Sequence, residues 1–228
     1  MKVNKEWINI SDMMSGLMMV FLFIAIAFMV QIQSEQEAVK EIAMTYRKSQ
    51  QSLNQDLHKE FEKDLQQWGA EITKDNIFRF NSPDVLFRSG SSEISTQFKN
   101  ILDDFFPRYI KLLTSDKYKN EIDEIRVEGH TSNIWGNAKS KSDIYLNNMR
   151  LSQSRANNVL SYCYNCSNTE ITKNKEWLEL QFRANGMAFS KLIYKEDGTQ
   201  DYTKSRRVEF KVLTKAQEKI YKIIEKLK

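Results

Sequence analysis

The chain has 228 residues, of which 41% are hydrophobic and 28% charged, enough for one modest globular core plus an extended element rather than two large enzyme domains. Its 34 basic and 30 acidic residues give a formal net charge of +4, and most lysines alternate with acids, a pattern that argues against a nucleic-acid groove. Only 7 Gly and 2 Pro occur, which argues against Gly-rich phosphate loops and flexible Gly/Ser linkers.

Met13 to Val30 is free of charge, and only Ser15 and Gly16 depart from the aliphatic, aromatic and Met set. Carried to Ile32, a helix of this length spans roughly 30 Å at ~1.5 Å per residue, the depth of a bilayer core. A transmembrane helix is predicted over residues 8–32, behind a short N-terminal segment, 1–12. Lys2 and Lys5 precede the run, and Glu35 and Glu37 follow it, so the N-terminus is expected in the cytoplasm and the rest of the chain outside. The competing reading is a cleaved signal peptide ending at Ala25-Ile-Ala27; against it, the apolar run continues through Phe28, Met29 and Val30.

Asp12 stands at the leading edge of the run, where two roles are open. Ser11-Asp12 suits a helix N-cap, with the carboxylate complementing the helix dipole. Alternatively, Asp12 shares a helix face with Ser15, Gly16 and Met19, a small surface that packs closely against other helices, and acids on such faces mark ion paths.

Residues 33–75 form a helical linker or stalk, with Leu53, Leu57, Phe61, Leu65, Trp68 and Ile72 recurring every three or four positions. This stripe serves equally a helix packed on its own domain or a short coil against a second copy. Beyond it the sequence predicts strands at Ile77–Phe80 and Val85–Phe87, and a turn over Arg88–Glu93. A helix over Thr96–Leu113 follows, kinked or ended by Pro107, then a strand over Ile122–Glu128 and a helix over Tyr145–Tyr162. Strands at Leu178–Arg183 and Arg207–Val212 complete a β-α-β-α-β-β order in one α/β domain, with a C-terminal helix over 214–228.

Three pieces of this domain carry a resemblance. Val127-Glu-Gly-His-Thr131, Asn148-Met-Arg-Leu151-Ser152-Gln-Ser-Arg155-Ala156-Asn-Asn-Val159 and Ser205-Arg-Arg-Val-Glu-Phe210 resemble motifs of the OmpA-like peptidoglycan-binding domain, and Phe87-Arg-Ser-Gly90 its first hairpin. The resemblance covers residues 76–213 and implies a periplasmic α+β domain that binds peptidoglycan through Thr131, Ser132, Asn147, Asn148, Leu151 and Arg155. A planar guanidinium suits the carboxylates of peptidoglycan stems, and a helix start near Asn147 and Asn148 would add amide donors. Arg155 also has a structural reading, as a surface ion pair or helix-packing residue; Arg206 and Arg207 read as strand-end residues with structural partners. The family usually has Asp after His-Thr, to meet the ligand's amine, where this chain has Ser132; Asp143 or Glu128 are the substitutes to consider.

Trp7-Ile-Asn-Ile-Ser-Asp12-Met-Met-Ser-Gly-Leu-Met-Met-Val-Phe-Leu-Phe23 resembles the membrane segment of the B subunits of ion-driven rotary motors, such as MotB, and is closer still to the B subunits of the Zorya anti-phage systems. That resemblance implies that Asp12 relays protons; Ser15 and Gly16, on the same helix face by spacing, are expected as its channel-facing support. It further implies a homodimer in the bacterial inner membrane, paired with a multi-span A-type channel subunit.

Cys163-Tyr-Asn-Cys166 has no second pair with which to build a zinc site, and in an oxidising compartment a local disulfide is expected. His58 and His130 lack partners at metal-ligand spacing, so no metal site is expected, and His130 is read as packing or bonding locally. No nucleophile–base pair or phosphate loop is present in the sequence, so neither an enzyme nor a cofactor is expected. The different-class alternative is a passive cell-wall tether on a signal anchor.

Overall fold

A computed structural model describes residues 3–81, 83–88 and 90–215. Helix α1 (Val3–Trp68) covers both the apolar run and the linker. Residues up to 48 belong to one compact unit and residues 49–217 to another, and each is described by itself.

In the first unit, Met13, Met18, Phe21, Phe23 and Phe28 are all more than 60% exposed, the surface of a helix with no protein partner among the described residues. By length and composition it is the one helix among the described residues able to cross a membrane. Because the helix already runs from Val3, Asp12 lies inside it, which removes the N-cap reading.

The second unit takes the last turns of α1 into its core. Leu53, Leu57, Phe61 and Trp68 are buried, so this part of the stripe packs on its own domain. The helix ends at Gly69, whose φ of 59° is left-handed, and β1 (Ala70–Ile72) follows where a continued helix was expected. Strand β2 (Ile77–Phe80) pairs with it. One turn of helix, α2 (Pro83–Leu86), replaces the strand expected at Val85–Phe87; of that strand only a bridge from Phe87 to Ile94 remains.

Helix α3 (Thr96–Leu113) starts at Ser95, whose hydroxyl accepts from the Phe98 amide, and it runs through Pro107 without ending there. Strand β3 (Ile122–His130) leads to α4 (Lys141–Tyr164), capped by Ser140 and one turn longer at its start than the spacing suggests. Two short helices, α5 (Thr169–Lys173) and α6 (Lys175–Gln181), precede β4 (Phe182–Ala188). The strand expected at 178–183 is therefore mostly helix, and the real one begins where that expectation ends. One further turn, α7 (Tyr202–Ser205), leads into β5 (Val208–Thr214). The predicted C-terminal helix falls beyond residue 215 and outside the described residues.

The sheet order is β1-β2-β5-β3-β4, with β3 and β4 parallel and the other neighbours antiparallel. The five main elements after β2 keep the expected α-β-α-β-β order, which makes the domain α+β. One face of the sheet packs on α1 and α3 through an aromatic cluster, and α4 adds Ala156 and Val159 to the same core. Phe105 lies 4.5 Å from Phe78, 5.4 Å from Phe61 and 5.0 Å from Phe210, ring centroid to centroid.

Candidate functional site

Two glycines let α4 lie directly on the sheet. A Cβ at Gly129 would stand 2.3 Å from the Ser152 carbonyl oxygen, and one at Gly186 would stand 2.6 Å from the Gln153 nitrogen. Side chains use the same closeness. Gln153 Oε1 accepts from the Gly186 amide and its Nε2 donates to the Ala184 carbonyl, so the glutamine clamps the edge strand. Ser152 Oγ accepts from the Ala188 amide at 3.0 Å. The helix motif thus fixes α4 against β4 before any ligand is considered.

At the end of β3 this packing opens a cleft of about 350 Å³. Thr131, Ser132, Asn148, Leu151 and Arg155 all line it, so the structure brings five of the six expected wall-binding residues together. Asn147 is the exception and does not line the cleft. Nor do Asn147 and Asn148 begin a helix: both lie within α4, where their amides serve the helix ladder. Asn148 works instead through its side chain, donating to the carbonyls of Ile144 and Ile134 and so tying down the 133–139 loop.

Arg155 is 8% exposed. Its Nε donates to the Ser91 carbonyl at 2.9 Å, and its guanidinium lies 4.8 Å from the Phe87 ring centre. No described carboxylate pairs with it, and burial, together with nearby Arg206, pushes its pKa down to about 10. This excludes the surface ion pair among the described residues; the packing role that the sequence allowed is present in the contacts to Ser91 and Phe87, and the side chain lines the cleft as well. Asn158 Nδ2 donates to the Ser92 carbonyl, so α4 fastens the 88–93 turn at two points.

Sequence reasoning did not place Phe87, Gly90, Ile134, Trp135, Tyr202 and Arg206 in the cleft, yet all line it. Arg206 was read as a strand-end residue with a partner; its Nε donates to the Tyr202 carbonyl beside the cleft. Arg207 does pair as expected, at 2.6 Å from Glu209. Neither proposed substitute for the family Asp reaches the cleft: Glu128 is buried beside His130 and Glu209, and Asp143 lies in the first turn of α4.

Cys163 and Cys166 are free thiols, which departs from the expected disulfide. Cys163 is buried in the last turn of α4, whereas Cys166, beyond the helix end, faces Asp103 at 3.8 Å. In the first unit Asp12 is exposed, and Ser15 Oγ donates to the Ser11 carbonyl one turn back at 2.8 Å.

The sheet, the α4 packing and the cleft define the class of domain. Residues 86–206 match the OmpA family model, more than half of the chain, and the chain belongs to that family. A curated relative, the Zorya protein ZorB of Escherichia coli, is 47% identical over 223 residues, covering 97% of this chain and 93% of its own, which places the chain among the ZorB proteins. Solved structures similar to it include a putative MotB-like protein from Desulfovibrio vulgaris, at 19% identity over 72% of this chain and 91% of its own, with a TM-score of 0.47. Another is the cell wall anchor of the Pseudomonas aeruginosa T6SS, at 19% identity over 69% and 96%, with a TM-score of 0.46.

Proposed function

We propose that the chain is the B-type subunit of a proton-driven, wall-anchored inner-membrane motor serving anti-phage defence. The observation that carries the wall-binding half is Arg155: a buried guanidinium lining an open cleft, with no acid beside it among the described residues, is set to receive a carboxylate from outside. Peptidoglycan stems supply such carboxylates. Ser132 offers a hydroxyl where a family Asp would meet an ammonium, so recognition rests on the stem's carboxylate more than on its amine.

The membrane half rests on Asp12, placed in α1 on the face of Ser15 and Gly16. In the proposed assembly the helix crosses once with its N-terminus in the cytoplasm. Two copies dimerise, and Asp12 loads and releases protons against a multi-span A-type partner, since one single-span helix supplies no conducting path.

Two measurements test the two halves separately. The full chain in detergent should sediment with purified peptidoglycan, and Ser132→Asp should strengthen retention on amine-bearing stems several-fold; no retention of the native chain rejects wall binding. Asp12→Asn should abolish phage protection while leaving membrane insertion and sedimentation intact. Protection that survives Asp12→Asn rejects the relay and leaves a passive wall tether.

A further inference from the structure

We infer that Glu128, His130 and Glu209 form a structural site for a divalent transition-metal cation, zinc first, on the sheet face opposite α4. The inference does not rest on wall binding. Gly129 faces α4, so the preceding Glu128 points to the other side of β3, and in the β3–β5 register it stands directly across from Glu209. Both acids and His130 are about 1% exposed. Two carboxylates facing each other across a buried strand pair repel, and the arrangement needs cations.

Arginines meet only the Oε1 oxygen of each acid. Glu209 Oε1 accepts from Arg207 Nε at 2.6 Å and from Arg79 Nε at 2.7 Å, and Glu128 Oε1 lies 3.7 Å from Arg126 Nη1. The other oxygens turn inward. His130 Nε2 stands 3.6 Å from Glu128 Oε2 and 3.4 Å from Glu209 Oε2, and the three groups can offer ligand atoms within 4.8 Å of one another.

These contacts are poor hydrogen bonds: they exceed the usual N–H···O range of about 2.7–3.2 Å, and neither ring nitrogen of His130, nor Glu128 Oε2, has a hydrogen-bond partner. They do suit the edges of a metal polyhedron. With zinc–nitrogen and zinc–oxygen bonds of about 2.0–2.2 Å, neighbouring ligand atoms of a tetrahedron lie about 3.3–3.6 Å apart. One imidazole and two carboxylates are zinc donors, three protein ligands leave a fourth position for water, and arginines on the non-ligating oxygens orient the carboxylates as outer partners do. The competing occupant is a proton, making His130 an imidazolium. The consequence for the domain is local: His130 passes directly into Thr131 and Ser132, so a cation here fixes the strand end that enters the cleft.

The test uses the full chain in detergent, stripped of metal and titrated with Co²⁺ alone. One equivalent should bind with the absorption of tetrahedral cobalt, be displaced by Zn²⁺, and raise the thermal midpoint. His130→Gln should lose that equivalent, weakening binding by more than the ~10–100-fold typical of removing an outer partner, whereas Cys163→Ser/Cys166→Ser should keep it. Absence of stoichiometric binding by the native chain, retention in His130→Gln or loss in the cysteine variant overturns the site. Should His130→Gln fail to fold, ¹⁵N shifts of the native protein decide: a doubly protonated His130 ring in zinc-treated protein also overturns it.

Discussion

A guanidinium that is 8% exposed, with no acid beside it among the described residues, carries a desolvation cost that the Ser91 carbonyl and the Phe87 ring offset. Arg155→Met, which keeps the stem and removes the charge, should leave the thermal midpoint little changed, relief of the buried charge offsetting the lost Ser91 bond, while abolishing sedimentation with peptidoglycan. A fall in both would show a structural arginine. Gly129 is constrained from the other direction: Gly129→Ala sets a methyl against the Ser152 carbonyl and should cost about 1–3 kcal/mol in urea unfolding. The thiols should be inert in the folded state. Burial pushes Cys163 well up, and burial with Asp103 raises Cys166, so iodoacetamide should label Cys163 only on unfolding and Cys166 slowly. The cleft residues that follow β3 and those of α4 were legible because their motifs are read directly as binding positions. Phe87 and Arg206, though in quoted motifs, and Tyr202 were not placed there, because only the folded chain brings Phe87, Gly90 and α7 to the end of β3.

The elements were legible wherever one period dominated. Thr96–Leu113 is helical to the residue, since its buried positions Phe98, Ile101, Leu102, Phe105 and Phe106 leave no strand reading. Ile72 misled for the same reason: it continues the four-residue spacing of Leu57, Phe61 and Trp68, and only the left-handed Gly69 breaks the helix before it. In the 175–182 segment, Trp177, Leu178, Leu180 and Phe182 alternate nearly as a strand would, yet α6 places Leu178 in the core and leaves Leu180 exposed. The buried turns of α1 are integral to the domain, and Phe61→Ala should cost about 3–5 kcal/mol in chemical unfolding. Asp56 ties the same helix to the segment after α3. Hydrogen bonds from Lys117 and Tyr118 hold its carboxyl below its ordinary value of 3.8. A lowered folded-state pKa gives stability that is complete above the ordinary value and is lost as pH falls through the lower one. The difference in urea midpoint between native protein and Asp56→Asn should therefore be flat from about pH 7 to 5 and shrink below about pH 4.

At the scale of the molecule, the proposed proton-carrying acid and the proposed anion-binding cleft belong to different compact units, so their substitutions are expected to act independently. Asp12→Asn should lose protection with normal wall retention, and Arg155→Met should lose both. One feature of the domain bears on how it would answer a pull. Between Leu53 and Trp68 helix α1 contributes Leu53, Leu57, Phe61 and Trp68 to the core, side by side along its axis. Tension directed along that axis would be shared by all four contacts at once, in shear, instead of peeling them one after another. Held through α1 and through residues of the cleft, the domain should yield at a higher force in single-molecule stretching than when held through β1 and the cleft, where the terminal strand can unzip. Phe61→Ala should remove most of that difference.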